Sequence, residues 1–178
     1  RTLINNSHTF FDIGANTGIY SLLAALLDPH RRVFAFEPMP AIYAYLQRNI
    51  AVNQCDNIQC FDIAIADAEG VVPFYIPAAT AVFPFSASTA AGLSKQTTKI
   101  QVKTTTIDGF VQQYRIQRID FMKIDTETTE PAVLRGARVT LRNHRPIMIC
   151  EVLPRGKEGE LHAVLDGLEY RYFWIADH

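Results

Sequence analysis

The stretch FFDIGANTGIYS, Phe10 to Ser21, runs from an apolar segment through an acid and two glycines into a second apolar segment. Thr9 to Ile13 reads as a short buried strand and Ile19 to Leu27 as a helix closed by Pro29 and His30, so the glycines mark a strand-to-helix turn. In an open α/β sheet, ligands bind at the carboxyl ends of the strands where the strand order reverses, and the first such turn is the place to look. A dinucleotide loop carries G-x-G-x-x-G there, so that backbone amides can approach a pyrophosphate. This chain offers Gly14 and Gly18 only. Asn16 stands where the second glycine belongs, and Asp12 adds a negative charge that repels phosphate. The same charge suits a ligand carrying an ammonium and a sulfonium, with the amides at the start of the following helix left for a carboxylate. The plain alternative is that both glycines are ordinary turn residues.

Outward from this turn, strands and helices alternate. Arg32 to Phe36 reads as a second strand, and Pro40 begins a helix with Ile42, Leu46, Asn49 and Ile50 on one face. Ile58 to Phe61 is a third strand; after a turn at residues 67–70 comes Val71 to Ile76, whose Pro73 suits an edge strand. Ile100 to Thr106 alternates apolar and polar residues as a half-exposed strand does. Ile119 to Ile124 is the next strand. Thr128-Thr129-Glu130-Pro131 marks a helix start with hydroxyls for capping, and Val133, Leu134 and Ala137 face the core. Ile147 to Val152 is another buried strand, Gly159 to Leu168 a helix and Tyr170 to Ile175 a last strand, with Tyr170, Tyr172 and Trp174 as core or sheet-face residues. The alternation predicts an α/β fold, a mostly parallel sheet with helices on both faces. Residues 77–96, rich in Ala, Ser, Thr and Pro, form a long loop. Its Phe83, Phe85, Ser86, Ser88 and Thr89 could serve as a lid over a bound molecule, or the loop could be a plain connection.

The 178 residues, 48% of them hydrophobic and 20% charged, suffice for one domain spanning 1–178. A formal net charge of -1 with both signs intermixed gives no field that favours nucleic acid or an anionic membrane. No apolar run reaches the roughly 18 residues of a membrane span. Cys55, Cys60 and Cys150 lack metal-like spacing and point to a reducing, cytoplasmic compartment. A chain that begins at Arg1 is expected to be a trimmed domain. The five histidines show no metal spacing, and His144 reads as a loop residue.

The second predicted strand ends in Phe36-Glu37-Pro38. A carboxylate there can accept both hydroxyls of a ribose, which fits any adenosine cofactor, NAD included. With Asp12 and the missing glycine, Glu37 tips the balance towards S-adenosylmethionine.

Four motifs, FFDIGANTGIYS, FAFEPMPAIYAYLQRNI, IDFMKIDTETTEPAVLRGA and PIMICEV, resemble in order and spacing the FkbM family of S-adenosylmethionine-dependent methyltransferases. The resemblance implies a class I methyltransferase, Rossmann-like fold and usually O-methylation of a hydroxyl on a sugar, polyketide or similar small molecule. Asp12, Gly14, Ala15, Asn16 and Gly18 match the family's cofactor loop, Glu37 its ribose acid and Pro38 the residue after it. Asp62 and Ile63 fall where this fold contacts adenine. The fold usually closes with a hairpin of two strands and this chain has one late strand, so the sheet is expected to be an edge strand short.

KIDTETTE places Lys123, Asp125 and Glu127 at alternate positions, which an extended backbone sends to one side. Glu151, at the end of the neighbouring strand, can reach the same cleft. Asp125, Glu127 or Glu151 could take a proton from an acceptor hydroxyl. Lys123 could hold the carboxylates ionised or orient substrate, or form a plain solvated ion pair. Clustered acids also suit magnesium or calcium, although the resemblance implies no metal. Glu127 and Glu130 could equally cap the following helix, the reading preferred for Glu130. The family run K-I-D-x-E-G-x-E has glycine where this chain has Thr128, so either the turn is built differently or the acceptor site has changed. That departure leaves open a degenerate, cofactor-binding domain without turnover. An NAD-dependent oxidoreductase is the other alternative.

Overall fold

The computed structural model describes residues 7–77, 97–152, 158–173 and 175. In chain order its elements are β1 (Thr9–Ile13), α1 (Ile19–Leu27), β2 (Arg32–Phe36), α2 (Pro40–Val52), β3 (Ile58–Phe61), β4 (Ala64–Ile65), β5 (Gly70–Pro77) and β6 (Thr97–Thr105). There follow α3 (Ile107–Gln113), β7 (Phe121–Ile124), α4 (Glu130–Arg135), α5 (Arg138–His144), β8 (Ile147–Cys150) and α6 (Glu158–Leu165). Five strands form a wholly parallel sheet in the order β3-β2-β1-β7-β8. The expected α/β architecture is therefore present, with five strands in the main sheet among the described residues.

Every residue of β1 is buried, as a central strand covered on both faces requires. Side chains alternate across it. Phe11 and Ile13 join Phe34, Phe36, Met122 and Ile124 against the layer of α3 to α6, while Phe10, Val33 and Ala35 meet Ala24, Ala25 and Leu46 of α1 and α2. Phe110 of α3 stands edge-on to Phe36 at 4.8 Å and to Phe61 at 4.9 Å, which fastens that layer to the sheet. Each such side chain contributes about 1.5–3 kcal/mol by leaving water.

β4, β6 and β5 form a second, three-stranded sheet in that order, with β5 antiparallel to β6. Pro73 lies on the outer strand β5, the place in a sheet where a residue without an N–H is tolerated. Met39, Ile42, Ala64, Phe74 and Val102 pack this sheet against α2 and the segment leading into it.

The structure corrects several expectations. The predicted last strand, Tyr170 to Ile175, is not a strand among its described residues; Tyr170 packs against the main core, while Tyr172, Phe173 and Ile175 are exposed. Trp174 and the lid residues Phe83, Phe85, Ser86, Ser88 and Thr89 lie outside the described residues. The helix expected at Gly159 to Leu168 is α6, ending at Leu165. His144 closes α5 and is not in a loop; its Nδ1 accepts from the Ile119 N–H at 3.2 Å. The hydroxyl cap expected at α4 is not made, because the Thr129 hydroxyl instead donates to the Thr126 carbonyl at 3.2 Å. Helix α3 and strand β4 had no counterpart in the sequence reading.

Candidate active site

Strand order reverses between β1, which runs on to β2 and β3, and β7, which runs on to β8. At the carboxyl ends of β1, β2 and β7 lies a cleft of about 250 Å³. The main sheet supplies Gly14, Asn16, Glu37, Pro38, Asp125 and Glu127 to its wall, and the region of the second sheet supplies Ile63 to Asp67, Val72 and Phe74.

The glycine turn is shaped by close approach. Gly14 has φ +73°, and a Cβ there would collide with the Asp125 carbonyl oxygen, so the β1 and β7 ends come together only over a bare Cα. The N–H groups of Gly14 and Ala15 both donate to the Phe36 carbonyl, at 3.1 and 2.9 Å, which draws the turn over the end of β2. Asn16 adopts φ +52°, a left-handed conformation that asparagine accepts more readily than most residues. Its N–H donates to Glu37 Oε2 and the Met39 N–H donates to Glu37 Oε1, both at 2.9 Å. Glu37 is only 7% exposed; burial pushes its pKa up, and the Met39 and Asn16 amides pull it back. Each oxygen keeps lone-pair capacity, so the carboxylate is held ready for two further donors.

Other expected cofactor residues lie differently. Ala15 is buried in the α1/α2 layer, and Gly18 is the N-cap of α1. Ile63 lines the cleft, whereas Asp62 is exposed and outside its lining. Asp12 is fully buried and does not line the cleft either. Its Oδ2 accepts from the Ser21 hydroxyl at 2.6 Å, and its Oδ1 lies 3.5 Å from Lys123 Nζ. Burial raises its pKa, opposed chiefly by the Lys123 charge. The charge expected to face a ligand is thus turned inward and matched by a cation.

Lys123 is the joint between the two halves of the cleft. Beyond Asp12, its Nζ donates to the Gly14 carbonyl at 2.7 Å and pairs with Asp125 Oδ2 at 3.2 Å. The solvated ion pair weighed from the sequence is excluded by its burial, with the side chain 8% exposed.

An extended backbone does bring Lys123 and Asp125 to one side, but β7 ends at Ile124 and the chain then turns. Glu127 and Thr128 have φ of +52° and +85°. The turn therefore takes the left-handed form that glycine favours, with a β-branched residue in it. Glu127 lines the cleft, and burial, then the charges of Asp125 and Glu130, raise its pKa. Glu151 follows β8 beside Asp125. Burial, a hydrogen bond with Asp125 and the neighbouring charges of Asp125, Glu127 and Glu130 push its pKa to about 7, and its buried Oε2 has no hydrogen-bond partner. Among the described residues no group of three or more His, Cys, Asp or Glu is arranged to hold a metal ion.

The sequence reading missed the apolar wall, formed by Met39, Ile42, Val72 and Phe74. Its one legible signal was Met39, two residues beyond Glu37; the rest depends on how the second sheet docks. Asp67, also on the wall, pairs with Arg135 at 3.1 Å.

The family model described as the methyltransferase FkbM domain matches residues 12–172. The chain is 30% identical over 159 residues to the 31-O-demethyl-FK506 methyltransferase FkbM of Streptomyces tacrolimicus, covering 71% of this chain and 58% of that protein. It is 26% identical over 140 residues to methyltransferase 1 of Beauveria bassiana, covering 70% of this chain and 56% of that protein. It therefore spans little more than half the length of these relatives. The crystal structure of methyltransferase FkbM from Methylobacillus flagellatus superposes with a TM-score of 0.62 at 20% identity, covering 89% of this chain and 37% of that one. A precorrin-6y C5,15-methyltransferase from Geobacter metallireducens gives a TM-score of 0.56 at 12% identity, covering 92% of this chain and 64% of that one. These two establish the class I methyltransferase fold.

Proposed function

The chain belongs to the FkbM family of methyltransferases, and on that premise we propose that its cleft binds S-adenosylmethionine and directs methyl transfer to a hydroxyl of an uncharged small molecule, such as a sugar or polyketide. One observation carries the reading. The cleft is lined by Glu37, Asp67, Asp125 and Glu127 and by no Lys or Arg among the described residues. Asp67 and Asp125 are matched by Arg135 and Lys123 behind the wall, so its net negative charge is that of Glu37 and Glu127, which suits a ligand with ammonium and sulfonium charges and opposes the two phosphates of NAD. It opposes a phosphorylated acceptor for the same reason. The hydroxyl acceptor draws further support from the relative named for 31-O-demethyl-FK506.

When bound, S-adenosylmethionine supplies a methyl carbon already activated by its sulfonium. The chain's part is placement and proton handling. Glu37, clamped by two amides, accepts the ribose hydroxyls, while Gly14 and Asn16 form the adjoining floor. Orienting the acceptor oxygen can supply roughly 7–11 kcal/mol of the barrier reduction. Of the three acids, Glu127 is the best placed base: it lines the cleft, and burial and the neighbouring Asp125 and Glu130 charges raise its pKa. A base there adds about 10²–10⁴-fold. Asp125 is tied to Lys123, and Glu151 is hydrogen-bonded with Asp125 but does not line the cleft.

Calorimetric titration with S-adenosylmethionine and with NAD tests the cofactor, and tight NAD binding without S-adenosylmethionine binding overturns it. Incubation with neutral polyols and their phosphate esters, read as S-adenosylhomocysteine by mass spectrometry, tests the acceptor class. A second reading, cofactor binding without turnover, is favoured by the φ of Thr128. Activity that appears only in Thr128→Gly would establish it.

A further inference from the structure

We propose that Glu130 is a positioning residue for the acceptor side of the cleft: its buried carboxylate holds the turn at 126–129, and with it Glu127, against the strain of Thr128. Glu130 is only 4% exposed, an expensive place for a carboxylate unless donors converge on it. Three do so on one oxygen. Oε1 accepts from the Thr126 N–H at 2.9 Å, the Thr126 hydroxyl at 3.1 Å and the Thr128 N–H at 3.2 Å. All three come from residues before α4, so the side chain reaches backward into the turn and does not cap its own helix.

The helix has no need of that carboxylate. Pro131 has no N–H, and the N–H groups of Ala132 and Val133 donate to the Thr129 carbonyl at 2.9 and 3.2 Å. Between the two anchored residues, Thr126 and Thr128, sits Glu127 at φ +52°, followed by Thr128 at φ +85°. A β-branched residue at that φ is unfavourable by itself, and the turn persists because its surroundings over-determine it. Charge-assisted hydrogen bonds to a buried carboxylate are suited to that task. Thr126, Glu127 and Thr129 all line the cleft, so fixing this turn fixes that wall.

That the wall faces an acceptor rests on the proposed function; the holding of the turn does not. The test is amide hydrogen exchange by NMR on the chain without ligand, comparing Glu130→Ala and Glu130→Gln. In Glu130→Ala, exchange at the Thr126 and Thr128 amides accelerates about tenfold or more, while the Phe11 and Phe34 amides in the sheet keep their protection. Glu130→Gln retains an acceptor oxygen and keeps protection at 126 and 128 within about threefold. The same substitution removes a negative charge, so the Glu151 carboxyl titrates below its present value of about 7 although the turn is intact. Glu130→Ala removes the same charge, so a Glu151 shift common to both variants, with exchange accelerated only in Glu130→Ala, assigns the turn to the hydrogen bonds and not to the charge. Repeating the comparison in a Thr128→Gly background, where the strain is gone, gives a smaller acceleration and keeps the Ala variant folded. Unchanged exchange at 126 and 128 in Glu130→Ala, acceleration spread evenly into β1, or a Gln variant as fast as Ala overturns the proposal. Failure of the parent chain to bind S-adenosylhomocysteine overturns the cofactor reading instead.

Discussion

Thr128 occupies a backbone conformation that glycine adopts freely, which makes Thr128→Gly an experiment on strain as well as on function. Left-handed φ at a β-branched residue costs about 1–3 kcal/mol, and glycine returns about 0.5–1 kcal/mol of that through its larger unfolded-state entropy. The variant is therefore expected to be more stable by about 1 kcal/mol, read as a rise of roughly 2–4 °C in the thermal midpoint. Lys123 poses the opposite case. Lys123→Met leaves fully buried Asp12 without its cation, and breaking a buried pair in this way costs about 3–5 kcal/mol. The sign with pH follows from Asp12, whose folded pKa is already raised and rises further when the opposing Lys123 charge is removed. A raised folded pKa stabilises the protonated fold at low pH, and that stability is lost as pH rises through the folded value. Urea unfolding of the variant should accordingly show a smaller deficit near pH 4.5 than at pH 7.5, and an equal deficit at both would remove Asp12 from the account.

At the scale of elements, the legible parts were those whose signal is local. β1, α1, β2, α2 and β3 appear with the bounds or starts read from hydrophobic period, Pro40 and the glycine turn, because each gathers several apolar residues within a short local span. α3 was missed since its apolar residues, Ile107, Phe110 and Val111, span little more than one turn and enclose Gly109. Its usable signal was Thr106, whose hydroxyl accepts from the Gly109 N–H at 2.9 Å as an N-cap. β4 has two residues and exists only through pairing with β6. The Tyr170 to Ile175 segment misled in the other direction, with strand-like composition but no strand paired with it among the described residues. In the site, Gly14, Asn16, Glu37 and Asp125 were legible because the local chain positions them, whereas the inward turn of Asp12 depends on which face of β1 meets α1. The corner between α4 and α5 was illegible for a similar reason. Gly136 there has an ordinary φ, but an added Cβ would collide with the Ala66 carbonyl, part of the cleft wall. Gly136→Ala is expected to destabilise by about 1–3 kcal/mol, the usual cost of overpacking, as measured by chemical unfolding.

For the whole molecule, the cleft is a seam between two sheets. Its floor comes from the carboxyl ends of β1, β2 and β7, while Val72 and Phe74 of β5 and the strand residues Ala64 and Ile65 close it from the second sheet. Among the described residues the second sheet reaches the main body through α2 and Met39, beside the cleft, in a cluster smaller than the main core, and through Ile65 of β4, which sits in that core. A three-stranded sheet whose described apolar contacts lie mostly in the smaller cluster opens at lower free energy than the central strands do. A ligand seated in the seam binds only when both sides are closed, so it stabilises the closed form by mass action, about 2.7 kcal/mol at a hundred times its dissociation constant. Hydrogen exchange with S-adenosylhomocysteine present should therefore slow most at Val72, Phe74, Ile100 and Val102, and little at Phe11 or Phe34, which are protected already. Protection confined to residues 14–16 and 37 would mean that the ligand rests on the main sheet alone and leaves the second sheet free to open.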